Sequence, residues 1–188
     1  MTADVGEIRH LLSRTGFGAP RPAELDALTG LDYSDAVTSV LDSWQPRSTQ
    51  MEPYWLDSLY VDGNRLYPRN ITKDEQKVIK RARKSQGRMT KAWWYAEMLA
   101  TASPFTERMT LFWHTHFTSS LKAVKLPEMM YRQNQLLRTH SLGNFADFLH
   151  AISKDPAMMA YLDTNSNKRR APNENYAREI LQLFSIGL

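Results

Sequence analysis

Hydrophobic residues recur along most of the chain with the three- to four-residue spacing of amphipathic helices. Ile8, Leu11 and Leu12 begin this pattern, and Leu25 with Leu28 continue it. Apolar residues at this spacing share one side of an α-helix, whereas a strand would alternate them with polar residues. No alternating segment is convincing, and no segment repeats. The sequence therefore predicts an all-α fold made of many helices.

The longest predicted helix begins after Thr72, because Thr72 and Glu75 have the spacing of a capping box. Helical spacing continues to about residue 101, and Gly87 is the one position expected to interrupt or bend the helix. We expect a long central helix over about 73–101 with one apolar stripe buried. That stripe consists of Val78, Ala82, Met89, Ala92, Trp93, Ala96 and Leu99.

The segment that precedes this helix, about 43–71, loses the helical period. It contains several prolines and scattered aromatic residues. Prolines and missing periodicity predict a long, partly packed loop. Trp44 and Trp55 lie in it and are expected to be exposed.

The amino-acid composition excludes several classes of site and indicates a globular protein. The chain has 188 residues, which suits a single domain, and 42% hydrophobic with 23% charged residues is typical of globular proteins. It has no cysteine, which excludes disulfides, thiolate metal sites and cysteine nucleophiles. No apolar run approaches the roughly 20 residues of a transmembrane helix. The first residues lack the basic and apolar regions of a signal peptide.

The charge is concentrated in one stretch. The net charge is +4, and no acidic residue lies between Glu75 and Glu97, where seven cations fall. They are Lys77, Lys80, Arg81, Arg83, Lys84, Arg88 and Lys91. Such a stretch attracts nucleic acid, anionic lipid or an acidic protein, or it is a solvated helix face. No nucleic-acid-binding motif surrounds it, so we favour the solvated face and do not expect nucleic acid as a partner.

Two histidines lie in the Phe-Trp-His-Thr-His-Phe segment of residues 112–117. His116 continues the helical stripe of Phe105, Met109 and Phe112, so it lies on an apolar face. His114 lies about 200° away around the helix axis, so the two imidazoles cannot chelate one ion from a regular helix. His116 is therefore either a hydrogen-bonded core histidine or a general base or metal ligand in a pocket. His114 is expected to be exposed.

Residues 172–179, Pro-Asn-Glu-Asn-Tyr-Ala-Arg-Glu, are the most polar segment in the chain. Asn173 is the predicted N-cap of a helix, and Glu174 with Arg178 have the spacing of an ion pair. Asn175 is not needed for capping and is expected to contact the preceding loop. The segment is either a well-capped helix start or part of a polar site.

The loop before this helix has oxygen-bearing side chains at the spacing of a calcium loop. Asp163, Asn165, Asn167 and Glu174 occupy positions one, three, five and twelve of an EF-hand pattern. Lys168 stands at the sixth position, where that turn requires glycine, and two arginines follow. A divalent metal site is one reading, and an Asn-rich turn is the other.

Four ordered motifs resemble the bacterial DUF1800 family, a domain of unknown function. They are residues 9–18, 112–117, 155–163 and 172–179, and the last is the hallmark of the family. Family members usually carry a second glutamate where this chain has Gln182. The family domain is also longer, so we expect the chain to be the N-terminal part of a single helical domain. The resemblance implies an envelope or secreted location and a sulfatase-like protein encoded nearby as a partner. It implies no reaction.

Two functional hypotheses follow. The first is a metal-dependent or hydrolytic enzyme, with a polar pocket between the helix of His116 and the helix of residues 173–179. His116, Glu174, Arg178 and Glu179 would converge in this pocket. His116 or Glu179 would act as base or metal ligand, Arg178 would hold an anionic group, and the expected cofactor is a divalent metal ion. The second is a non-catalytic structural or partner-binding module, in which the same residues form a buried hydrogen-bond network.

Overall fold

The computed structural model describes residues 2–56, 67–164 and 167–185, and its architecture is all-α, as the apolar spacing predicts. In chain order, the helices are α1 (Val5–Thr15), α2 (Pro22–Leu28), α3 (Tyr33–Asp42), α4 (Lys73–Ala100), α5 (Pro104–His116), α6 (Leu121–Val124), α7 (Pro127–His140), α8 (Phe145–Ser153), α9 (Pro156–Tyr161), α10 (Glu174–Glu179) and a π-helical segment (Ile180–Ser185). Within the described ranges there is no strand, only isolated bridges. None of the helices described is long and apolar enough to cross a membrane.

Helix α4 begins at the capping box that the sequence predicts, and α8 begins at a side-chain cap as well. The Thr72 hydroxyl accepts a hydrogen bond from the Glu75 amide at 3.2 Å, and the Glu75 carboxylate accepts one from the Thr72 amide at 2.7 Å. Asn144 accepts from the Ala146 amide at 2.8 Å at the start of α8. These bonds satisfy N–H groups that have no acceptor inside the helix. Helix α4 therefore begins at Lys73, as predicted. It ends at Ala100, within about one residue of the predicted limit.

Apolar clusters hold the helices together. One surrounds the C-terminal end of α5 and consists of Phe117, Leu137, Phe148, Ile152, Met158, Leu162 and Phe184. Another joins α1, α2 and α3 through Ile8, Leu11, Leu28, Ala36 and Val40. The first cluster is the one that positions the candidate site, because it fixes α5 against α8, α9 and the π-helical segment.

The inward face of α4 is polar, so the predicted apolar stripe is wrong. Val78 is 64% exposed and Leu99 is 78% exposed. Arg83, Gln86 and Glu97 are buried instead. An apolar stripe marks the buried face only where the neighbouring helices are apolar too. Here α4 packs against α5 and α7, and its buried polar groups take partners from more than one element. Trp94 donates to Glu107 on α5, and Glu97 accepts hydrogen bonds from the loop of residues 48–50.

A buried ion pair lies at the centre of these three helices. Arg138 Nε donates to Glu107 Oε1 at 2.7 Å, and Arg138 Nη2 donates to Glu107 Oε2 at 2.9 Å. Trp94 Nε1 donates to the same carboxylate at 2.7 Å, which joins α4 to the pair. Both charged side chains are almost completely buried, at 0% and 1% exposure. The pair therefore links α5 and α7 without access to water.

Glu97 anchors the start of the long loop to α4. Its carboxylate accepts hydrogen bonds from the Ser48 hydroxyl at 2.6 Å, the Thr49 amide at 3.1 Å and the Gln50 amide at 2.9 Å. Burial alone would raise the pKa of Glu97, but these hydrogen bonds lower it below its ordinary value. The loop thus begins as an ordered segment, and residues 57–66 lie outside the described ranges.

The two tryptophans of the loop are not exposed, contrary to the prediction. Trp55 is 3% exposed. Trp44 is partly buried and donates from Nε1 to the Ser141 hydroxyl at 2.9 Å. Both indoles pack inward because a loop that covers helices must bury its large apolar side chains against them.

Gly87 does not interrupt α4, which is continuous from Lys73 to Ala100. A methyl group at this position would lie 2.5 Å from Leu121 Cδ2. The glycine therefore permits the close approach of α6 to α4, as small residues do where two elements cross.

Candidate functional site

An open cleft of about 700 Å³ lies where the end of α5 faces α9, α10 and the π-helical segment. It is lined by Thr115, His116, Thr118, Tyr161, Leu162, Asn175, Glu179 and Phe184. His116 and Glu179, which the first hypothesis places on facing helices, line the same cavity. Its volume lies in the range of small-molecule sites.

His116 is held in an aromatic environment with one polar contact. The centroid of its ring lies 4.7 Å from that of Phe117 and 5.5 Å from that of Trp113, and both rings meet it edge to face. Its Nε2 lies 3.1 Å from the carbonyl oxygen of Phe184. A carbonyl oxygen only accepts, so Nε2 carries the proton and a neutral imidazole keeps its lone pair on Nδ1. The histidine is therefore both hydrogen-bonded and on the wall of a cleft.

The partner carbonyl belongs to a π-helical segment, Ile180–Ser185, that follows α10 directly. The Ser185 hydroxyl donates to the Ile180 carbonyl at 2.7 Å. A π-helix is wider than an α-helix, and short π segments are frequent at functional sites. The change of helix type begins one residue after Glu179 and ends beside the contact to His116.

Arg178 contacts Asn175 instead of the predicted partner Glu174. Its Nη2 donates to Asn175 Oδ1 at 2.7 Å and lies 3.5 Å from Glu179 Oε1. Glu174 is exposed and does not line the cleft. Arg178 does not line it either, but it contacts both residues of α10 that do. Since Arg178 only donates, it fixes which end of the Asn175 amide is the oxygen.

Three polar groups of the cleft walls keep unused hydrogen-bonding capacity. Within residues 2–56, 67–164 and 167–185, Asn175 Nδ2 donates to no acceptor, Glu179 accepts no hydrogen bond, and His116 Nδ1 has no partner. The hydroxyls of Thr115 and Thr118, by contrast, donate to carbonyls of their own segment. The cleft thus offers an amide donor, a carboxylate and an imidazole lone pair to a ligand.

The contact with the preceding loop is made by Asn173, although Asn175 was expected to make it. Asn173 Nδ2 donates to the carbonyls of Leu162 at 3.1 Å and Asp163 at 2.9 Å. Its Oδ1 accepts from the Asn175 amide at 2.9 Å and caps α10. One side chain therefore caps α10 and ties it to the end of α9, which sets the position of Glu179.

Asn173→Ala should lower the free energy of unfolding by about 2 kcal/mol, since it removes a cap and two further hydrogen bonds. Asn144→Ala is the matched control: its side chain caps α8 and nothing else. It should cost about 1 kcal/mol. Urea unfolding measures the free energy of unfolding of the two variants. Tryptic cleavage at Lys168 and the two arginines after it should accelerate only in Asn173→Ala. Equal effects of the two variants would contradict the tie between loop and helix.

The structure describes three of the four residues of the predicted metal set. Asn165 lies outside the described residues. Asn167 Oδ1 accepts a hydrogen bond from the Asn173 amide at 3.0 Å, and Glu174 is exposed. No group of three or more histidine or carboxylate side chains among the described residues could hold a metal ion. A metal site that includes Asp163 and Glu174 stays a prediction.

His114 is not the exposed histidine that was predicted. Its ring meets Trp94 edge to face, with centroids 5.2 Å apart. Burial lowers the pKa of His114 below its ordinary value, because a desolvated imidazolium is disfavoured. His114 therefore belongs to the packing between α4 and α5 and not to the cleft.

A buried chain of hydrogen bonds that the sequence does not predict joins Ser119, Gln133 and Asp155. Gln133 Nε2 donates to Asp155 Oδ2 at 2.8 Å, and the Ser119 hydroxyl donates to Gln133 Oε1. Asp155 also accepts from the Met158 amide at 2.8 Å and caps α9. Burial raises the pKa of the Asp155 carboxyl. The cap is local to the Asp155-Pro156 start of α9, whereas no local pattern indicates a partner 22 residues away.

Residues 10–188 match the family described as "Protein of unknown function (DUF1800)". The chain belongs to the DUF1800 family. Neither the curated proteins nor the solved structures contain a match to it. In this DUF1800 protein, three of the four segments that carry the family resemblance contribute residues to the cleft: 112–117, 155–163 and 172–179. The fourth, residues 9–18, contributes to a separate cavity of about 350 Å³ between α1, α2 and the end of α4.

Proposed function

We propose that the cleft between α5 and α10 is the active site of a hydrolytic enzyme. The observation that carries the proposal is that His116, Asn175 and Glu179 line one cavity and each keeps an unused polar group there. An imidazole and a carboxylate in one cavity are a frequent pair for general acid–base catalysis.

In this proposal Glu179 removes a proton from a water molecule, whose oxygen attacks the substrate. In the reacting form His116 carries a second proton on Nδ1 and gives it to the leaving group. The proton that Glu179 accepted then passes back to His116, so that both groups regain their starting forms. Asn175 Nδ2 donates to a polar atom of the substrate, and Arg178 attracts an anionic group to the rim. The aromatic rings around His116 and its bond to Phe184 limit reorientation of the imidazole.

A metal-dependent form of the proposal requires a further ligand. His116 and Glu179 supply two donor groups, whereas a catalytic zinc site has three protein ligands. Within the described residues no third histidine or carboxylate joins them. Elemental analysis of the purified protein, repeated on Glu179→Gln, tests this form without knowledge of the substrate.

A binding module without catalysis is the second candidate, and exposed apolar residues at the cleft favour it. Phe112 is 53% exposed and Phe145 is 39% exposed. The rings of Phe112 and Phe145 lie within 6.5 Å and 6.4 Å of His116, centroid to centroid. Apolar surface at the edge of a polar cleft is typical of sites that hold an amphipathic ligand.

Hydrolysis assays distinguish the two candidates. The substrates are chromogenic carboxylate, phosphate and sulfate esters and a glycoside, and each is given to the wild type and to His116→Gln. We expect turnover in one class and a loss of at least about 100-fold in His116→Gln. His150→Gln, an exposed histidine on α8, is the matched control and should keep wild-type activity. Turnover that survives in His116→Gln contradicts the proposal. Ligand binding without turnover in any class supports the binding module.

A further inference from the structure

Helix α4 presents a continuous basic sector to solvent. Successive residues of an α-helix are rotated by about 100° and rise about 1.5 Å. On this geometry seven exposed cations fall within a sector about 100° wide and about 27 Å long. They are Lys73, Lys77, Lys80, Arg81, Lys84, Arg88 and Lys91. Arg83, which the sequence places in the same run, is buried with its guanidinium 5.0 Å from the centroid of the Tyr67 ring, and it is not part of the sector.

These charges are almost unopposed. In the part of the chain that the structure describes, Lys77 contacts Asp74 at 2.9 Å, and this pair is exposed. The other six cations of the sector make no ion pair with residues 2–56, 67–164 or 167–185. Exposed pairs of this kind contribute little, so nothing in the fold itself requires seven cations on one face. A single-sign face of this length raises the local concentration of an anionic partner.

The same sector continues into apolar residues. Tyr95 is 64% exposed and Leu99 is 78% exposed. Their positions around the helix axis fall within the limits of the cationic sector, at its C-terminal end. A cluster of lysines and arginines on a helix attracts an anionic lipid surface, and exposed aromatic and aliphatic side chains beside it can add apolar contact with the acyl boundary.

We propose that this face of α4 binds the surface of an anionic lipid bilayer, with the cations on the headgroups and Tyr95 and Leu99 below them. A flat surface contacts a straight 27 Å row along its whole length. Five of the seven cations are lysines, which act as point charges towards a diffuse anionic layer, whereas arginine predominates where phosphates are recognised by paired hydrogen bonds. A leucine in the sector contributes to membrane binding but adds little to binding of a nucleic-acid backbone.

Vesicle co-sedimentation tests the proposal on the whole chain. Vesicles of phosphatidylcholine are compared with vesicles that contain about 30 mol % phosphatidylglycerol, at about 50 mM and about 500 mM NaCl. The variant Lys80→Gln/Lys84→Gln/Arg88→Gln/Lys91→Gln removes four charges of the sector. The matched control Lys122→Gln/Lys125→Gln/Lys168→Gln/Arg169→Gln removes four exposed charges elsewhere. A third variant, Tyr95→Ser/Leu99→Ser, removes the apolar end, and circular dichroism checks that each variant is folded.

We expect binding to the anionic vesicles at low salt and none to phosphatidylcholine alone. The α4 charge variant should lose on the order of 100-fold in partition coefficient, and the control less than about threefold. Tyr95→Ser/Leu99→Ser should lose about tenfold. Absent binding to anionic vesicles, or an equal loss in the control, overturns the proposal. Tighter binding to a short DNA duplex, unaffected by Tyr95→Ser/Leu99→Ser, overturns it in favour of nucleic acid.

Discussion

Arg138→Met should lower the free energy of unfolding by about 3–5 kcal/mol, because it leaves the Glu107 carboxylate buried without its cation. Two hydrogen bonds of 2.7 Å and 2.9 Å are lost, and only Trp94 still donates to Glu107. Arg138→Lys should also be costly, since an ammonium group cannot donate two parallel bonds to one carboxylate. Urea unfolding measures the effect as a lower midpoint with an unchanged slope.

Arg132→Met is the matched control for this prediction. Arg132 lies on the same helix and pairs with Glu128 at 2.9 Å, but its side chain is 57% exposed. An exposed pair of this type contributes less than about 1 kcal/mol. The double variant Glu107→Leu/Arg138→Met removes both buried charges and should be more stable than the sum of the single effects predicts. A loss below about 1 kcal/mol in Arg138→Met would show that water reaches the pair.

The sequence predicts where helices of this fold begin, but it does not predict which face of α4 is buried. Helix positions follow from local signals: Thr72 with Glu75 and Asn144 are caps whose partners lie within three residues. The buried face of α4 depends on contacts with α7 and with the loop of residues 48–50, which are distant in sequence, as well as with the adjoining helix α5. A hydropathy pattern selects Val78 and Leu99 because it counts polar residues as exposed. Glu97 is buried because a loop 47 residues away supplies its hydrogen bonds.

In the candidate site, too, local features could be predicted from the sequence, whereas the contacts between side chains could not. His116 could be selected because its position on a helical stripe is a local property, and the cap of α10 is local too. The partner of Asn175 could not be predicted, because Arg178 was equally placed to contact Glu174 on spacing alone. The backbone carbonyl of Phe184 as the partner of His116 depends on the π-helical segment, and no propensity rule predicts such a segment from sequence.

Glu179→Gln should reduce kcat by about 100- to 10,000-fold in any hydrolysis that the domain catalyses, because the isosteric amide cannot accept the proton of the attacking water. The change should leave the fold intact. The side chain is partly exposed, and it accepts no hydrogen bond from the described part of the chain. Arg178→Met should instead raise KM more than it lowers kcat, since the guanidinium is placed to hold an anionic group and not to transfer a proton.

Glu174→Gln is the matched control for Glu179→Gln. It is the same substitution on the same helix, at an exposed position that does not line the cleft. If the cleft is the active site, Glu174→Gln should keep kcat within about twofold of wild type. If the loop of Asp163 instead holds a catalytic metal, Glu174→Gln should lose both activity and bound metal, and Glu179→Gln should keep both. The two variants, assayed together with elemental analysis, therefore assign the catalytic carboxylate to the cleft or to the loop, since each site predicts the opposite order of losses.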